Sequence, residues 1–206
     1  ATVPRLRSTT TSSSAAAVAA APANSASSAS TSATHVLPGH VYVVATPIGN
    51  LDDITLRAAN TLHHVDVIAS EDTRHTLKLL KHLGVASKPR IAHHDHNLES
   101  AVPKLLAMAE RGLSIAVVSD AGTPSVSDPG AELVARCIAA GVTVVPIPGA
   151  CAAVTALSAC GFVGTEFRFV GFLPRTGKAR RAKLAELIAD EHAVVFYESP
   201  HRILST

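Results

Sequence analysis

Ile115 to Gly130 reads IAVVSDAGTPSVSDPG, an unbroken apolar and β-branched run that ends in a turn holding Gly122, Pro124, Pro129 and Gly130. A short continuous apolar run of this kind reads as a strand buried on both faces, and such strands belong to parallel sheets covered by helices. The small-residue loop after it leaves backbone N–H groups and space at the carboxyl end of that strand. Open α/β sheets take up nucleotide-like ligands at that end.

From His40 onward the chain repeats this plan. Val41 to Ala45 (VYVVA) predicts a strand, followed by the turn residues Thr46 to Asn50. Asp52 or Asp53 can cap a helix through His64, with Leu56, Ala59, Leu62 and Val65 at helical spacing. Asp66 to Ser70 predicts a second strand, and Glu71-Asp72-Thr73-Arg74 leads into a helix carrying Leu77, Leu80 and Leu83, stopped by Gly84. Ser100 is expected to cap the next helix, because Pro103 is best tolerated in a first turn; Leu105, Leu106 and Ala109 then face inward and Gly112 ends it. After the opening strand come a helix with Leu133, Val134, Cys137 and Ile138, and a strand over Val142 to Val145. The fold class expected is therefore α/β, a mainly parallel sheet covered by helices.

Hydrophobic residues make up 47% of 206, enough for one full core and the beginning of a second. Aromatic residues are 3% and Trp is absent, so that core must be aliphatic. With a formal charge of +2, any nucleic-acid contact has to come from a local basic patch. Cys137, Cys151 and Cys160 form no CxxC or CxxH pair and read as reduced packing residues of a non-secreted protein. Residues 1–39 differ in kind. They carry Arg5 and Arg7, no acid, and mostly Ser, Thr and Ala, the composition of an organellar transit peptide without the compact apolar block of a secretory signal; the alternative is a low-complexity tail with no address. A plastid address is expected first and a mitochondrial one second. No run of about 18 apolar residues follows, so no membrane helix is expected.

If the predicted strands are parallel, the loops Thr46 to Asn50, Asp120 to Gly130 and Pro146 to Ala150 gather along one rim and make a pocket. Ala150 to Cys160 has little side-chain bulk, so a helix terminus there can approach a ligand closely. These loops are not phosphate cradles: neither G-x-x-x-x-G-K-[ST] nor, after the first strand, G-x-G-x-x-G occurs.

VYVVATPIGNLDDITLRA (Val41 to Ala58), ASEDTR (Ala69 to Arg74), HHDHN (His93 to Asn97), VVSDAGTPSVSDPG (Val117 to Gly130), PIPGACAAVTAL (Pro146 to Leu157), FVGFLPR (Phe169 to Arg175) and FYESPHR (Phe196 to Arg202) together resemble the tetrapyrrole methylase superfamily, or class III methyltransferases, in its small-subunit ribosomal RNA branch. The resemblance implies S-adenosylmethionine-dependent methyl transfer to a cytidine ribose 2′-hydroxyl in small-subunit ribosomal RNA. The donor would lie in a cleft between an N-terminal methylase domain, residues 40–162, and a C-terminal one that begins at residues 163–206. It implies donor contacts at Pro47, Ile48 and Gly49, at Asp120, Ala121, Gly122 and Thr123, at Pro148, Gly149, Ala150, Cys151 and Ala152, and at Tyr197. Relatives carry a glycine-rich G-x-G-P-G loop where Thr46 to Gly49 stand and Gly-Asp-Pro where Gly122-Thr123-Pro124 stand; the departures at Pro47 and Thr123 look like those of the ribosomal RNA branch. The alternatives are methylation of a tetrapyrrole carbon and a ribosome-binding homologue without catalysis. Family members are commonly dimeric. Because the family continues through more of the second domain, residues 1–206 alone are expected to be poorly soluble or inactive.

Methyl transfer to a hydroxyl needs alignment and a proton acceptor. Glu198, Glu71 and Asp72 are the carboxylates on predicted rim loops and His201 is the imidazole candidate, with Glu198 expected to orient or deprotonate the nucleophile. Phosphate contacts are expected from Arg74, His75, Lys78 and Lys81, and from Arg175, Lys178, Arg180, Arg181 and Lys183 with His201 and Arg202; the alternatives are a solvated helix face and, for Arg74 beside two carboxylates, an internal ion pair. His93-His94-Asp95-His96 resembles a metal cluster but lacks a companion Cys or an HExxH, so no metal is expected.

Overall fold

In the computed structural model the described residues are 36–175 and 177–205. The transit-like segment expected over residues 1–39 lies, except for its last four residues, outside them. The strands and helices alternate along the chain as β1 (Val41–Val44), α1 (Leu56–His64), β2 (Val67–Ser70), α2 (Thr73–His82), β3 (Arg90–Ala92), α3 (Leu98–Glu110), β4 (Ile115–Val118), α4 (Ala131–Ala139) and β5 (Val144–Ile147). Their strands form one sheet in the order β3-β2-β4-β1-β5, with every neighbouring pair parallel. The opening apolar run is β4, interior to this sheet and buried at every residue.

Alternation along each strand splits the core in two. On one face Leu62 of α1 and Leu79 and Leu80 of α2 pack over Val44, Ile68 and Val118. On the other, Val102 and Leu105 of α3 and Leu133 and Cys137 of α4 pack over Val41, Val67, Ala69 and Val117. Removing each of these leucines from water contributes about 1.5–3 kcal/mol. Beyond β5 follow α5 (Ala152–Ala159), β6 (Phe167–Phe172), α6 (Gly177–Ile188) and β7 (Ala193–Tyr197). β6 and β7 pair in parallel as a separate two-stranded sheet, whose register shifts between Phe169 and Phe172.

Several local expectations are corrected. Asp52 and Asp53 do not cap α1; they sit in a 3-10 turn over Leu51–Asp53, and Thr55 is the cap, its side-chain oxygen accepting from Ala58 N. The helix therefore starts at a different phase. Leu56 is 88% exposed, while Ala58, Thr61 and Leu62 face the core. α3 starts after Asn97 rather than at Ser100, and Pro103 lies inside it. The carbonyl that Pro103 cannot bond belongs to Glu99, which is exposed and open to water. β3 was not expected at all: Arg90-Ile91-Ala92 is too short to show a period. β5 runs over Val144–Ile147 instead of Val142 to Val145 and contains Pro146, tolerated because β5 is an edge strand. On α4, Ile138 points to solvent rather than to the core.

Candidate active site

Parallel strands deliver the loops after them to one edge, and three of those loops are joined by named contacts. Thr46 N donates to Gly122 O (2.8 Å) and Gly122 N donates back to Thr46 O (3.1 Å), tying the loop after β1 to the loop after β4. Thr123 Oγ1 donates to Ala150 O at 3.1 Å, tying the loop after β4 to the loop after β5. Gly149 lies so close to β1 that a Cβ added there would stand 2.8 Å from Ala45 Cβ. Gly122 answers a different need, since its φ of +92° suits glycine while the space around it would admit a methyl. Ser125 and Ser127 also hold left-handed φ values, 71° and 63°. Such backbone costs about 1–3 kcal/mol per residue and concentrates where a loop has to take one shape.

Against these loops lies a cavity of about 890 Å³. Ile48, Asp120, Ala121, Gly122, Thr123, Cys151 and Ala152 line one side, and Phe172, Tyr197 and Glu198 line the other. Most of the expected donor contacts are thus gathered in one place. Pro148, Gly149 and Ala150 face a neighbouring recess of about 500 Å³ that shares Ile48, and Pro47 faces a smaller one of about 250 Å³ that shares Asp120. Gly49 is exposed at a φ of +150°. The sequence reading missed Asp128, Val126, Phe172 and Phe196 as lining residues. Asp128 stands in the same small-residue loop as Asp120, a signal that was available. The aromatic wall depends on the β6 and β7 pairing: Tyr197 meets Phe169 and Phe172 edge to face, at centroid distances of 4.9 and 5.5 Å.

The cavity gathers carboxylates. Glu71 is held above the usual carboxylate range, first by burial and then by the negative charge of Asp120, Asp128 and Asp95. Burial likewise raises Asp128, opposed by a hydrogen bond from the Ser119 side chain and reinforced by Asp120 and Asp95. Asp120 Oδ1 accepts from Asp72 N at 3.1 Å. Glu198 is differently placed. Its side chain is 2% exposed, forms an ion pair with Arg202, and accepts from Ser199 N at 2.7 Å.

Among the other expected residues, Asp72 caps α2 and grips Arg74 through two side-chain bonds of 2.9 and 3.2 Å. That partner and its hydrogen bonds hold the Asp72 carboxyl well below the usual range. Arg175 and Arg202 face one recess with Ser199, and His201 is exposed. On α6, Lys183 pairs with Glu186, which also takes Arg168, while Lys178, Arg180 and Arg181 lie on the first turns. His93 is buried at the end of β3, and burial lowers its pKa. Asn97 closes the turn after it, accepting from His94 N (2.9 Å) and donating to Ala92 O (2.8 Å). No group of side chains able to hold a metal ion occurs among the described residues.

The family described as Tetrapyrrole (Corrin/Porphyrin) Methylases matches residues 40–206. The chain belongs to this family. Two curated relatives, both named ribosomal RNA small subunit methyltransferase I, come from Pasteurella multocida and Haemophilus influenzae. They are 55% and 53% identical to it over 170 residues, which is 82% of this chain and 60% of each relative. The chain thus spans about 60% of the length of these relatives. Among solved structures, a diphthine synthase aligns with a TM-score of 0.56 at 16% identity, covering 78% of this chain and 65% of its own. That likeness concerns the fold.

Proposed function

We propose that this methylase transfers a methyl group from S-adenosylmethionine to a cytidine ribose 2′-hydroxyl of small-subunit ribosomal RNA. The observation that carries the reading is the cavity itself, lined by Ile48 of the loop after β1, by the loop after β4, by the start of α5, and by aromatic residues and carboxylates, in a chain about half identical to relatives named for ribosomal RNA methylation. Its volume of about 890 Å³ falls in the range of small-molecule pockets. Its charge suits a sulfonium donor, because Glu71, Asp120 and Asp128 favour a cation and oppose a polyphosphate. The main chain around Gly122 and Thr123, the start of α5 at Cys151 and Ala152, and Tyr197 would hold the donor.

When bound, the donor supplies a methyl group already activated by the sulfonium. The protein's part is to orient the ribose oxygen, exclude water and accept a proton. Glu71 and Asp128 are the proton acceptors in this reading, since a raised pKa makes a carboxylate a stronger base and both line the cavity. Glu198, neutralised by Arg202, is a positioning residue that fixes the end of β7.

The deciding experiment supplies the full-length protein with labelled donor and offers either immature small ribosomal subunits or a porphyrinogen. Label in ribosomal RNA, mapped to a cytidine by a reverse-transcription stop, supports the reading; label in the macrocycle alone refutes it. The full-length protein is proposed to be a homodimer, which sedimentation would measure. Residues 1–39 are proposed to direct it to the plastid, and a fluorescent fusion of that segment found elsewhere would overturn the assignment.

A further inference from the structure

A recess of about 250 Å³ is lined by residues of α2, of the loop after β1 and of the loop after β4. Thr46, His75, Lys78 and Ser119 are among its walls, and Asp120 belongs to both spaces. Charge is uneven between the two spaces, although Asp120 lines both. The large cavity holds Glu71, Asp120 and Asp128, whereas the α2 side of the recess carries the two cation-capable side chains His75 and Lys78, one helical turn apart.

Their neighbours are already engaged. Arg74 is held by Asp72, His82 meets Asp52 at 3.6 Å, and the Thr76 hydroxyl donates to Asp72 O. His75 and Lys78 make no side-chain hydrogen bond or ion pair among the described residues, and Lys81, one further turn along, makes none either. On α6, by contrast, Lys183 is neutralised by Glu186.

Resting on the function proposed above, we infer that this recess is the subsite for a backbone phosphate of the acceptor RNA, held by Lys78 with His75 beside it. Three carboxylates, Glu71, Asp120 and Asp128, oppose an RNA phosphate in the large cavity, whereas in the recess only Asp120 does, and His75 and Lys78 stand against it. An RNA strand can present a ribose in the large cavity while a neighbouring phosphate rests on α2, because the two spaces meet at Asp120. The subsite positions the strand and reads no base.

The test uses the full-length protein carrying Lys78→Ala, Lys78→Glu or His75→Ala, with Lys178→Ala on α6 for comparison. Affinity for small ribosomal subunits is measured across salt concentrations, and donor affinity by calorimetry. Lys78→Ala is expected to flatten the slope of log affinity against log salt by about 1, the loss of one phosphate contact. Lys78→Glu is expected to weaken RNA binding tenfold or more, with donor affinity at the wild-type value, which also reports that the variant is folded. A wild-type slope and RNA affinity in both Lys78 variants overturns the inference, as does an equal loss of donor affinity. Wild-type protein that leaves ribosomal RNA unmethylated refutes the functional reading instead, so the two failures are distinguishable.

Discussion

Replacing Gly149 by alanine tests how closely the rim is built. The new Cβ would stand 2.8 Å from Ala45 Cβ. Carbon atoms pack best at about 3.5–4.0 Å, so the approach is short by roughly 1 Å. Both atoms are bonded directly to main chain, and no rotamer can relieve the contact; the loop after β5 has to move away from the end of β1. Overpacking of this kind costs about 1–3 kcal/mol. In a domain of this size each kcal/mol lowers Tm by about 2–4 °C, so Gly149→Ala is expected to melt about 2–12 °C below wild type and to bind the donor more weakly. The compensating change is specific. Ala45→Gly removes the offending methyl and leaves the added Cβ 3.5 Å from Ala45 O, an ordinary contact. Thermal denaturation of both single variants and the double variant forms a cycle, in which the double should recover at least about 1 kcal/mol beyond additivity. An unchanged Tm for Gly149→Ala, or simple additivity with Ala45→Gly, would refute the argument.

Leu62→Ala is expected to cost about 2–5 kcal/mol, whereas Leu56→Ala, at an 88% exposed position of the same helix, should leave chemical denaturation midpoints nearly unchanged. Glu71→Gln and Asp128→Asn should lower methyl transfer and yet raise Tm near pH 7. Their folded pKa values are raised, so the native carboxylates destabilise the fold once ionised, and the gain should shrink as pH falls toward the ordinary carboxylate range; a loss of Tm at neutral pH would contradict this. Asp66 has the opposite sign: the Ser114 hydroxyl and backbone N–H, at 2.6 and 2.8 Å, lower its pKa, so it stabilises above the unfolded value and that stabilisation is lost in acid. Asp66→Asn should therefore melt lower than wild type at pH 7, by under about 1 kcal/mol at this exposed position, and converge with it in strong acid.

What was legible in the sequence follows from range. The rim could be read because each of its loops announces itself locally, by small and turn-forming residues directly after an apolar run, and a parallel sheet then brings them together without further information. β3 carries no such local signal, since three residues at a sheet edge cannot show a period. The phase of α1 was lost to a one-turn competition, in which Asn50 caps a 3-10 turn that takes up Asp52 and Asp53, and Thr55 supplies the helix cap that one of those two was expected to provide. Charge was the hardest to read. Arg74 and Asp72 are two residues apart and their pairing is local, but Arg168 meets Glu186 and Asp190 only because β6 and α6 fold together. A count of basic residues therefore overstates the cations available to a ligand. The carboxylates show the same effect in reverse. Glu71, Asp120 and Asp128 come from the ends of two neighbouring strands and one long loop, and their mutual repulsion exists only in the folded sheet. The strained loop after β4 holds that repulsion in place: it supplies Asp120 and Asp128, the left-handed Ser125 and Ser127 between them, and the Thr46 and Ala150 contacts that keep it from relaxing. Chemistry that needs a raised carboxylate beside a cation site gives a reason for a chain to keep an arrangement that costs it stability.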